Sequence, residues 1–449
     1  MARSTLAQGL SLLLGLFGGI GVAAAQTEWR GVMELEGRYF RVDEGRGLTG
    51  SVAGLLDIYQ PTGDRDLSLI AELFYREDAD DPRRSHGDIR QAYLQALGRE
   101  FELYAGWRRI FWGVTEARSL VDTINQTDLV EDIDGGAKLG QPLVQLRWLA
   151  PLGTVDGFLL AGTRARTFPG QDGFPRIPFP IARRAERFPN GEQQRLDYAL
   201  RWQFRAPGLD LGLSWFDGTA RDPDFLPCLA EGSDFPNTDN GPNCNLQDAM
   251  PEQPLPGALV DLLQLLRLAP SDAEVEADTR QKVMDNLVLV PDYPRERRAG
   301  LDLQYLRGGL ALRLEALLRE RDGNWSQAAV AGAEYTLPGF FGTGWDVSAL
   351  FEYLYDARDN DVFAQRFADD LFFGTRMSLN DLAGSVVLAG VIVEPDFGNR
   401  LFSVEASRRL WGDWRLTADV RVFSDLPDDP LVDLIDGQDR VRLLLQRFF

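Results

Sequence analysis

The sequence has 449 residues, 44% of them hydrophobic, and carries a formal net charge of −21. Its length and composition would suit two or three soluble domains, so they do not identify a fold class on their own. The strong negative charge excludes the basic surface that nucleic-acid-binding proteins present. After Ala25 no segment approaches 18 consecutive apolar residues, which argues against transmembrane helices.

The N-terminus has the form of a bacterial export signal. Arg3 supplies a positive charge, residues 10–22 are almost wholly apolar, and Ala23-Ala24-Ala25 offers a small-residue cleavage site. The apolar run is too short and too rich in glycine to span a bilayer comfortably, so a retained membrane anchor is the less favoured alternative. Residues 1–25 are therefore predicted to be a signal peptide that is cleaved near Ala25.

Most of the mature chain alternates between apolar and polar residues with a period of two. In the segment QRLDYALRWQFR, apolar residues from Leu196 to Phe204 fall on one face and charged or amide residues fall on the other. Such segments run about ten to fourteen residues, which is longer than the strands of soluble sandwiches and enough to cross a membrane at a tilt. Because lipid cannot satisfy a free sheet edge, strands of this kind must close into a barrel.

The chain is predicted to form 18 such strands, and 16 is the alternative because the pairs at 87–111 and 367–394 have weak boundaries. The predicted strands are 28–41, 47–60, 65–77, 87–98, 100–111, 141–150, 153–166, 193–206, 207–219, 296–307, 308–321, 326–337, 343–356, 367–379, 380–394, 398–411, 412–425 and 438–449. Even-numbered connections are short, whereas every long insertion is odd-numbered. This pattern predicts an all-β fold over residues 26–449: a transmembrane antiparallel up-and-down β-barrel with long extracellular loops and short periplasmic turns.

One acidic segment, Phe111 to Gly140, interrupts the alternation after the fifth predicted strand. It is therefore the third outward-facing loop, and in general porins the third loop folds into the lumen and narrows the pore. Its candidate constriction carboxylates are Glu116, Asp122, Asp128 and Glu131. The stretch TEARSLVDTINQTDLVE is predicted to form a helical turn or two. A solvated loop that lies outside the barrel is the alternative.

Inward-facing arginines are predicted to line the wall that this loop would face. They are Arg164, Arg166, Arg195, Arg201 and Arg205 on strands seven and eight, with Arg415 and Arg421 near the C-terminus. Carboxylates on one side and guanidinium groups on the other would set a transverse field across a water-filled constriction. Simple pairing of these arginines with inward acids is the alternative. Because the inward charges nearly balance, the sequence predicts no ion preference.

The stretch WRRIFWGVTEARSLVDTINQTDLVE, downstream of RQAYLQA, resembles a group of porin-like outer-membrane β-barrel proteins of proteobacteria whose substrates are mostly unassigned. The close resemblance covers roughly Arg90 to Glu131, and the barrel pattern extends it loosely over the rest of the chain. It implies a monomeric or loosely associated channel for solutes such as organic nutrients. It carries no residue roles over to this sequence.

The largest loop, residues 219–295, contains both cysteines, Cys228 and Cys244. Two cysteines close together in an exported chain predict a disulfide, because the compartment is oxidising. The stretch PLPGALVDLLQLLRLAP predicts a helix over residues 255–268 between prolines. A lid over the barrel mouth, a partner-binding or lipid-binding helix and an apolar landing site for substrates are its alternative roles.

The C-terminal segment DRVRLLLQRFF places Val441, Leu443, Leu445 and Phe449 on one face. An exported chain that ends on an amphipathic strand and a terminal Phe resembles outer-membrane barrels, whose assembly machinery recognises that ending. Phe449 is therefore predicted to be an assembly signal. The predicted partners are this machinery, outer-membrane lipid and lipopolysaccharide, whose phosphates could share divalent cations with the acidic outer loops.

No motif in the sequence indicates catalysis, a cofactor or a dedicated metal site. The only histidine, His86, lies in RRSHGD beside Ser85 and near Asp88, but neighbouring residues on one loop rarely assemble a hydrolase triad. The sequence therefore predicts an outer-membrane channel of a Gram-negative bacterium that passes small hydrophilic or organic solutes through a loop-narrowed pore. A structural or binding barrel with little open pore, such as the sheath of a conduit or a surface receptor, is the alternative. No oligomeric state is predicted.

Overall fold

The computed structural model describes residues 27–41, 47–62, 64–132, 135–170, 173, 179–229, 244, 286–357, 369–395, 400–424 and 439–449. The predicted signal peptide at 1–25 and the predicted helix at 255–268 lie outside these residues. No helix within the described ranges is long and apolar enough to span a membrane. The short 3₁₀ segments are Arg183–Ala185, Pro189–Gly191 and Phe340–Gly342.

The regular secondary structure of the described residues is almost entirely β-strand. In chain order they are β1 (Glu28–Phe40), β2 (Leu48–Thr62), β3 (Asp64–Asp78), β4 (His86–Leu97), β5 (Phe101–Arg108), β6 (Gln141–Ala150), β7 (Gly153–Ala161), β8 (Leu196–Ala206), β9 (Leu209–Thr219), β10 (Asp224–Leu229), β11 (Leu287–Asp292), β12 (Arg295–Arg307), β13 (Leu310–Arg321), β14 (Asn324–Leu337), β15 (Asp346–Asp356), β16 (Asp369–Ser378), β17 (Val386–Val393), β18 (Arg400–Arg409), β19 (Trp414–Ser424) and β20 (Arg440–Phe448).

Eighteen of these strands form one closed antiparallel sheet. Each barrel strand pairs with its neighbour in the chain, β9 pairs with β12 across the longest loop, and β1 pairs with β20 to close the ring. Strands β10 and β11 pair only with each other and form a separate hairpin. The predicted all-β, 18-stranded up-and-down barrel is confirmed, and the 16-strand alternative is wrong.

The two faces of the sheet differ in chemistry, as the period-two pattern predicts. On β1, Leu35 and Tyr39 are 57% and 55% exposed, whereas Glu36 and Arg38 between them are each 4% exposed. The same alternation recurs on the strands that the sequence singles out, including β8 and β15. An apolar outer face and a polar inner face are the arrangement of a transmembrane barrel.

Several strand ends differ from the prediction, and two of them move three of the predicted wall arginines. Strand β7 ends at Ala161 because Gly162 adopts a positive φ of 72°, and the Gln141 side chain donates a hydrogen bond to the Gly162 carbonyl. Arg164 and Arg166 therefore lie in the following loop and not on the strand. Arg195 precedes the start of β8 at Leu196. Strand β5 ends at Arg108, which releases the chain into the barrel three residues earlier than predicted.

Candidate functional site in the barrel lumen

The segment 109–140 is here called loop 3, and its described residues, 109–132 and 135–140, lie inside the barrel. The clearest evidence is the Glu315 carboxylate of β13, which is fully buried on the inner face of the sheet. It accepts hydrogen bonds from the backbone N–H groups of Val114 (2.7 Å), Thr115 (3.0 Å), Leu120 (2.6 Å) and Val121 (3.3 Å). A side chain in the middle of a barrel strand can reach these groups only if the loop has entered the lumen. The alternative of an external loop is therefore wrong.

A second inward carboxylate holds the same turn of loop 3. Glu352 of β15 accepts hydrogen bonds of 2.8 Å from the backbone N–H groups of Glu116 and Ala117. Successive backbone N–H groups that converge on one anion form a concave anion-binding nest, and here the anions are two side chains of the barrel wall. Because these N–H groups bond to carboxylates rather than to carbonyls one turn earlier, residues 114–121 do not form a helical turn, and the one turn of this kind in the predicted stretch is at Asp128–Asp132.

The first residues of loop 3 cross the lumen as an extended bar. At one end Arg109 binds Glu72 of β3, and at the other end Val114 binds Glu315 of β13. These two strands stand on nearly opposite sides of the ring of 18. Along the bar, Trp112 packs towards β6–β9, whereas the alternate residue Phe111 is 71% exposed. The bar therefore separates a filled side of the lumen from an exposed one.

The filled side is the one bounded by β6, β7, β8 and β9. Its apolar cluster combines loop residues with inward side chains of these strands, namely Trp112, Val121, Ile124, Leu143, Phe158, Leu160, Ala199 and Phe216. The buried Arg221 guanidinium donates to the Ile124 carbonyl at 3.1 Å and closes the extracellular side of the cluster. A second apolar cluster joins Leu120 of the loop to β13–β16. Loop 3 is thus packed on two walls at once.

Loop 3 returns towards β6 as a hairpin anchored at Asp128. The Asp128 backbone N–H donates to the Ala137 carbonyl at 2.8 Å, while its fully buried carboxylate binds Arg90 at 2.6 Å and the Thr167 hydroxyl. Burial alone would raise the pKa of Asp128, but the nearby His86, the charge and hydrogen bond of Arg90 and the hydrogen bond from Thr167 hold it well below its usual range. Asp128 therefore carries a negative charge that is fully committed to the fold.

The tip of loop 3 joins the opposite wall through a network of buried charges, here called the tip network. Asp132 lies 3.1 Å from Arg440 and 3.3 Å from Arg442, and Glu131 lies 2.9 Å from Arg76. The members of the network are Arg38, Arg76, Arg84, Arg421, Arg440 and Arg442 with Glu34, Glu36, Asp78, Glu131, Asp132 and Asp419. Arginines and carboxylates are equal in number. Burial would raise the pKa of Asp132, but Arg440 and Arg421 hold it well below its usual range.

Of the four carboxylates predicted for a constriction, Glu116 is the most exposed. Its side chain is 26% exposed and lies 2.5 Å from Arg376 of β16. Asp122 is paired with Lys138 at 3.2 Å, and burial raises the pKa of Asp122 in spite of this partner. Asp128 and Glu131 are anchored as described above. The structure thus assigns three of the four to holding the loop and leaves Glu116 beside the exposed side of the lumen.

The predicted wall arginines are mostly paired with acids, which is the alternative that the sequence left open. The pairs are Arg164 with Asp88 (2.8 Å), Arg166 with Asp222, Arg201 with Asp302 (2.8 Å), Arg205 with Asp210 (3.8 Å) and Arg421 with Asp419 (3.5 Å) and Asp132 (3.8 Å). Arg195 is half-buried, and Arg415 is exposed on β19. These arginines do not form one continuous basic wall that faces the loop carboxylates across water.

The exposed side of the lumen is bounded by β17 and β18 and by the periplasmic ends of β16, β19, β1 and β2. We call its inner face the open wall. The partly or fully exposed inward side chains of this wall include Arg30, Asp57, Arg376, Leu388, Glu405, Arg409 and Arg415. On β17 the inward residues from Val386 to Ile392 are all half-buried rather than buried. Water therefore reaches this wall beside loop 3.

His86 is the first residue of β4 and not part of an outer loop as predicted. Its Nδ1 lies 3.0 Å from the Arg84 carbonyl, and its Nε2 lies 3.8 Å from the Asp128 carboxylate and 3.9 Å from that of Glu131. The neighbouring Ser85 hydroxyl instead contacts the backbone of Asp78. His86 thus helps to hold loop 3. Among the described residues, no group of three potential metal-ligating side chains is suitably placed.

In the longest loop, Cys228 and Cys244 form a disulfide, as the sequence predicts. Cys228 lies on β10, and the β10–β11 hairpin packs against the segment that follows β7. That segment adds backbone hydrogen bonds to β11, including Ala182 N–H to Leu289 O at 2.9 Å. Together these loops cover the extracellular side of the filled half of the lumen.

We expect this cover to loosen as the pH rises through about 7. Burial raises the pKa of Glu186 to about 7, and Arg183 opposes this only in part. The docked segment therefore keeps a proton that the undocked carboxyl, with an ordinary pKa of 4.5, would release. Docking is therefore most stable below pH 4.5, the ordinary pKa of the carboxyl. It loses stability as the pH rises from there to about 7, and above that pH the loss is complete. Hydrogen-exchange protection of residues 181–193 should accordingly be lower at high pH.

Glu186→Gln should remove this pH dependence, because the amide is neutral throughout. Glu192→Gln is the matched control, since Glu192 is exposed in the same loop. In wild type, hydrogen-exchange protection of residues 181–193 should differ between about pH 5.5 and 8.5. Unchanged protection would contradict the assignment to Glu186.

No family model and no curated protein matches this chain. Among solved structures the chain is similar to Acinetobacter baumannii OccAB4, with 10% identity, a TM-score of 0.49, and coverage of 95% of this chain and 98% of that one. It is also similar to Pseudomonas aeruginosa OpdO, with 10% identity, a TM-score of 0.48, and coverage of 94% and 97%. A mutant of Rh. blastica porin gives 10% identity, a TM-score of 0.40, and coverage of 94% and 100%. At these values the likenesses carry no argument about function.

Proposed function

We propose that this chain is an outer-membrane channel that passes small hydrophilic solutes by diffusion through a pore narrowed by loop 3. The observation that carries the proposal is the uneven filling of the lumen. Apolar packing closes the side of β6–β9, whereas inward side chains of the open wall are exposed to water. A passage between loop 3 and the open wall follows from this arrangement, with Phe111 and Glu116 on the loop side.

The location of the channel follows from the same barrel. An antiparallel barrel with an apolar outer face is a structure that lipid tolerates, because closure leaves no unpaired strand edge. An export signal at residues 1–25 would deliver such a chain to the outer membrane of a Gram-negative bacterium. The barrel-assembly machinery and lipopolysaccharide are its proposed partners, and no catalytic step is assigned to it.

A structural or binding barrel with little open pore is the second candidate. The observation that favours it is the depth of packing on one half of the lumen, where loop 3, Arg221 and the β10–β11 hairpin lie together. In that case the loops would form a receptor surface, and the exposed wall would lead only to a water-filled pocket. The two candidates differ in a single measurable property, which is ion conduction.

The test is single-channel recording of the purified full-length barrel in planar bilayers. We expect stable conductance steps in wild type, because exposed inward side chains line the open wall beside loop 3. Leu388→Cys, on that wall, should allow a charged thiol reagent to reduce the current by more than half, since the adduct would occupy the passage. Leu312→Cys is the matched control, because Leu312 is exposed on the outer face of β13.

Each result separates the candidates. A wild-type barrel that folds but passes no current would contradict the channel and favour the binding barrel. The Leu388→Cys variant could also be labelled, as shown by mass spectrometry, and still conduct as before. That result would place the passage elsewhere in the lumen.

A further inference from the structure

One exposed carboxylate of the open wall takes no part in anchoring loop 3. Glu405 lies in the middle of β18 directly opposite Asp419 of β19, and Asp419 binds the inward Arg440. Because directly opposite residues share a face, Glu405 points into the lumen. Its side chain is exposed, and within the described part of the chain it forms no ion pair or side-chain hydrogen bond.

Glu405 lies on the open wall at the level where Glu116 of loop 3 contacts that wall. The register aligns Arg376 of β16, Leu388 of β17 and Glu405 of β18 in one row. Neighbouring strands are about 4.8 Å apart, so the backbones of Arg376 and Glu405 are separated by about 10 Å. Arg376 in turn binds Glu116 of loop 3. A solute that passes loop 3 along the open wall therefore passes Glu405.

The charges around Glu405 compensate one another and leave its own charge unbalanced. Arg376 and Arg313 are shared by Glu334 and Glu116, at distances of 2.5–2.9 Å, so this group is neutral. The tip network contains equal numbers of arginines and carboxylates. Among the described residues the charges within each group sum to zero, and the arginines of both groups are bound to carboxylates other than Glu405.

Other exposed charges of the open wall lie farther away or are paired. Asp57 of β2 stands directly opposite Arg30 of β1, so these two offset each other. Arg415 lies four positions along β19 from Asp419, the residue opposite Glu405, and Arg409 lies four positions along β18 from Glu405 itself. That spacing corresponds to about 13 Å, which exceeds the screening length of about 8 Å at physiological ionic strength.

We propose that Glu405 gives the passage a preference for cations, so that small cationic solutes are the substrate class of this channel. The inference rests on the proposed function and adds the sign of charge that the sequence leaves undetermined. A fixed carboxylate in a narrow wetted pore raises the local concentration of cations and lowers that of anions. The net charge of −21 on the whole chain acts in the same direction at the pore mouths.

The test measures the reversal potential of the full-length barrel across a KCl gradient in planar bilayers. Wild type should prefer K⁺ over Cl⁻. Glu405→Gln should lower the permeability ratio about twofold or more, and Glu405→Lys should make the pore prefer Cl⁻. Asp413→Asn is the matched control, because Asp413 is an exposed carboxylate in the neighbouring periplasmic turn. The effect of Glu405→Gln should shrink in about 1 M salt, where the screening length falls to about 3 Å.

The outcomes distinguish this inference from the proposal that supports it. A conducting wild type with a selectivity that ignores both substitutions at position 405 would overturn the cation preference and leave the channel standing. A folded wild-type barrel that passes no current would overturn both. Equal shifts in the Asp413 and Glu405 variants would show a general surface effect and would also overturn the assignment to Glu405.

Discussion

Replacing Glu315 by alanine is expected to raise the single-channel conductance about twofold or more, because it frees loop 3 from the barrel wall. The Glu315 carboxylate accepts four backbone N–H groups and the hydroxyls of Thr115 and Ser119. Hydrogen bonds to a charged group contribute about 1.5–3 kcal/mol each, and their loss also leaves buried donors unpaired. The turn at residues 114–121 should then leave β13, and water and ions should enter the cross-section that it occupies.

The matched control for this change lies on the same strand. Glu320→Ala alters a carboxylate that bonds the Gly323 N–H in the neighbouring hairpin turn and makes no contact with loop 3 in the described residues. It should leave conductance unchanged. Glu315→Gln should give an intermediate value, because the amide keeps one acceptor oxygen and places an NH₂ group against the N–H donors.

Conductance that stays at the wild-type value in a correctly folded Glu315→Ala barrel would show that other anchors suffice to hold loop 3. Glu352 and the tip network would then be the next candidates. Heat-modifiable migration in gels separates this outcome from misfolding, since only the folded barrel migrates in the compact form.

The barrel itself is readable from the sequence because lipid acts on every strand in the same way. Each strand must present apolar residues at alternate positions, so the pattern on β8 or β15 is visible without any knowledge of its neighbours. The tight turns are also local signals: Gly208 and Gly308 adopt φ values of 77° and 60°, which favour glycine. Strand number and topology follow from these local patterns.

The path of loop 3 is not a local property, which is why the sequence left it open. Its two main anchors, Glu315 and Glu352, are about two hundred residues away along the chain. On their strands they look like ordinary inward polar residues. The one local hint is composition, because the stretch from Gly113 to Val121 contains few side chains that could satisfy its own backbone N–H groups.

The predicted constriction charges mostly hold loop 3 in place instead of facing a water-filled pore. This too depends on contacts between residues that are distant in the sequence. An inward Arg and an inward Glu look equally available in sequence, but burial in a lumen favours direct pairing, since an unpaired buried charge is costly. Asp128 and Glu131 therefore bind arginines, and water reaches residues that had not been singled out, including Glu405. The β10–β11 hairpin was missed because its strands have six residues each and are separated by the rest of a long loop.

Deleting Phe449 is expected to lower the yield of folded barrel several-fold, because this residue completes the seam between β20 and β1. Its backbone exchanges two hydrogen bonds with Gly31, of 2.8 and 3.0 Å. Without them the Gly31 N–H and C=O would face the membrane interface unpaired, at a cost of several kcal/mol. The shortened chain would still end on a phenylalanine, Phe448, so a loss of folding would report on the seam and not on the presence of a terminal Phe. The measurement is the heat-modifiable fraction in outer-membrane extracts.

The contribution of the Phe449 ring can be separated from that of its backbone. The ring lies against Gly31, where an added Cβ would meet it at 2.2 Å, and its centroid is 6.2 Å from that of Trp29. Gly31→Val should therefore displace the ring while the terminal residue remains, and it should lower the folded fraction less than the deletion does. Gly37→Val on the same strand is the control, because a Cβ there meets no atom within 4 Å. If the deletion alone impairs folding, the seam hydrogen bonds or the chain end matter and the ring contact does not. If Gly31→Val is as severe as the deletion, the ring must be seated before the last strand can close the barrel.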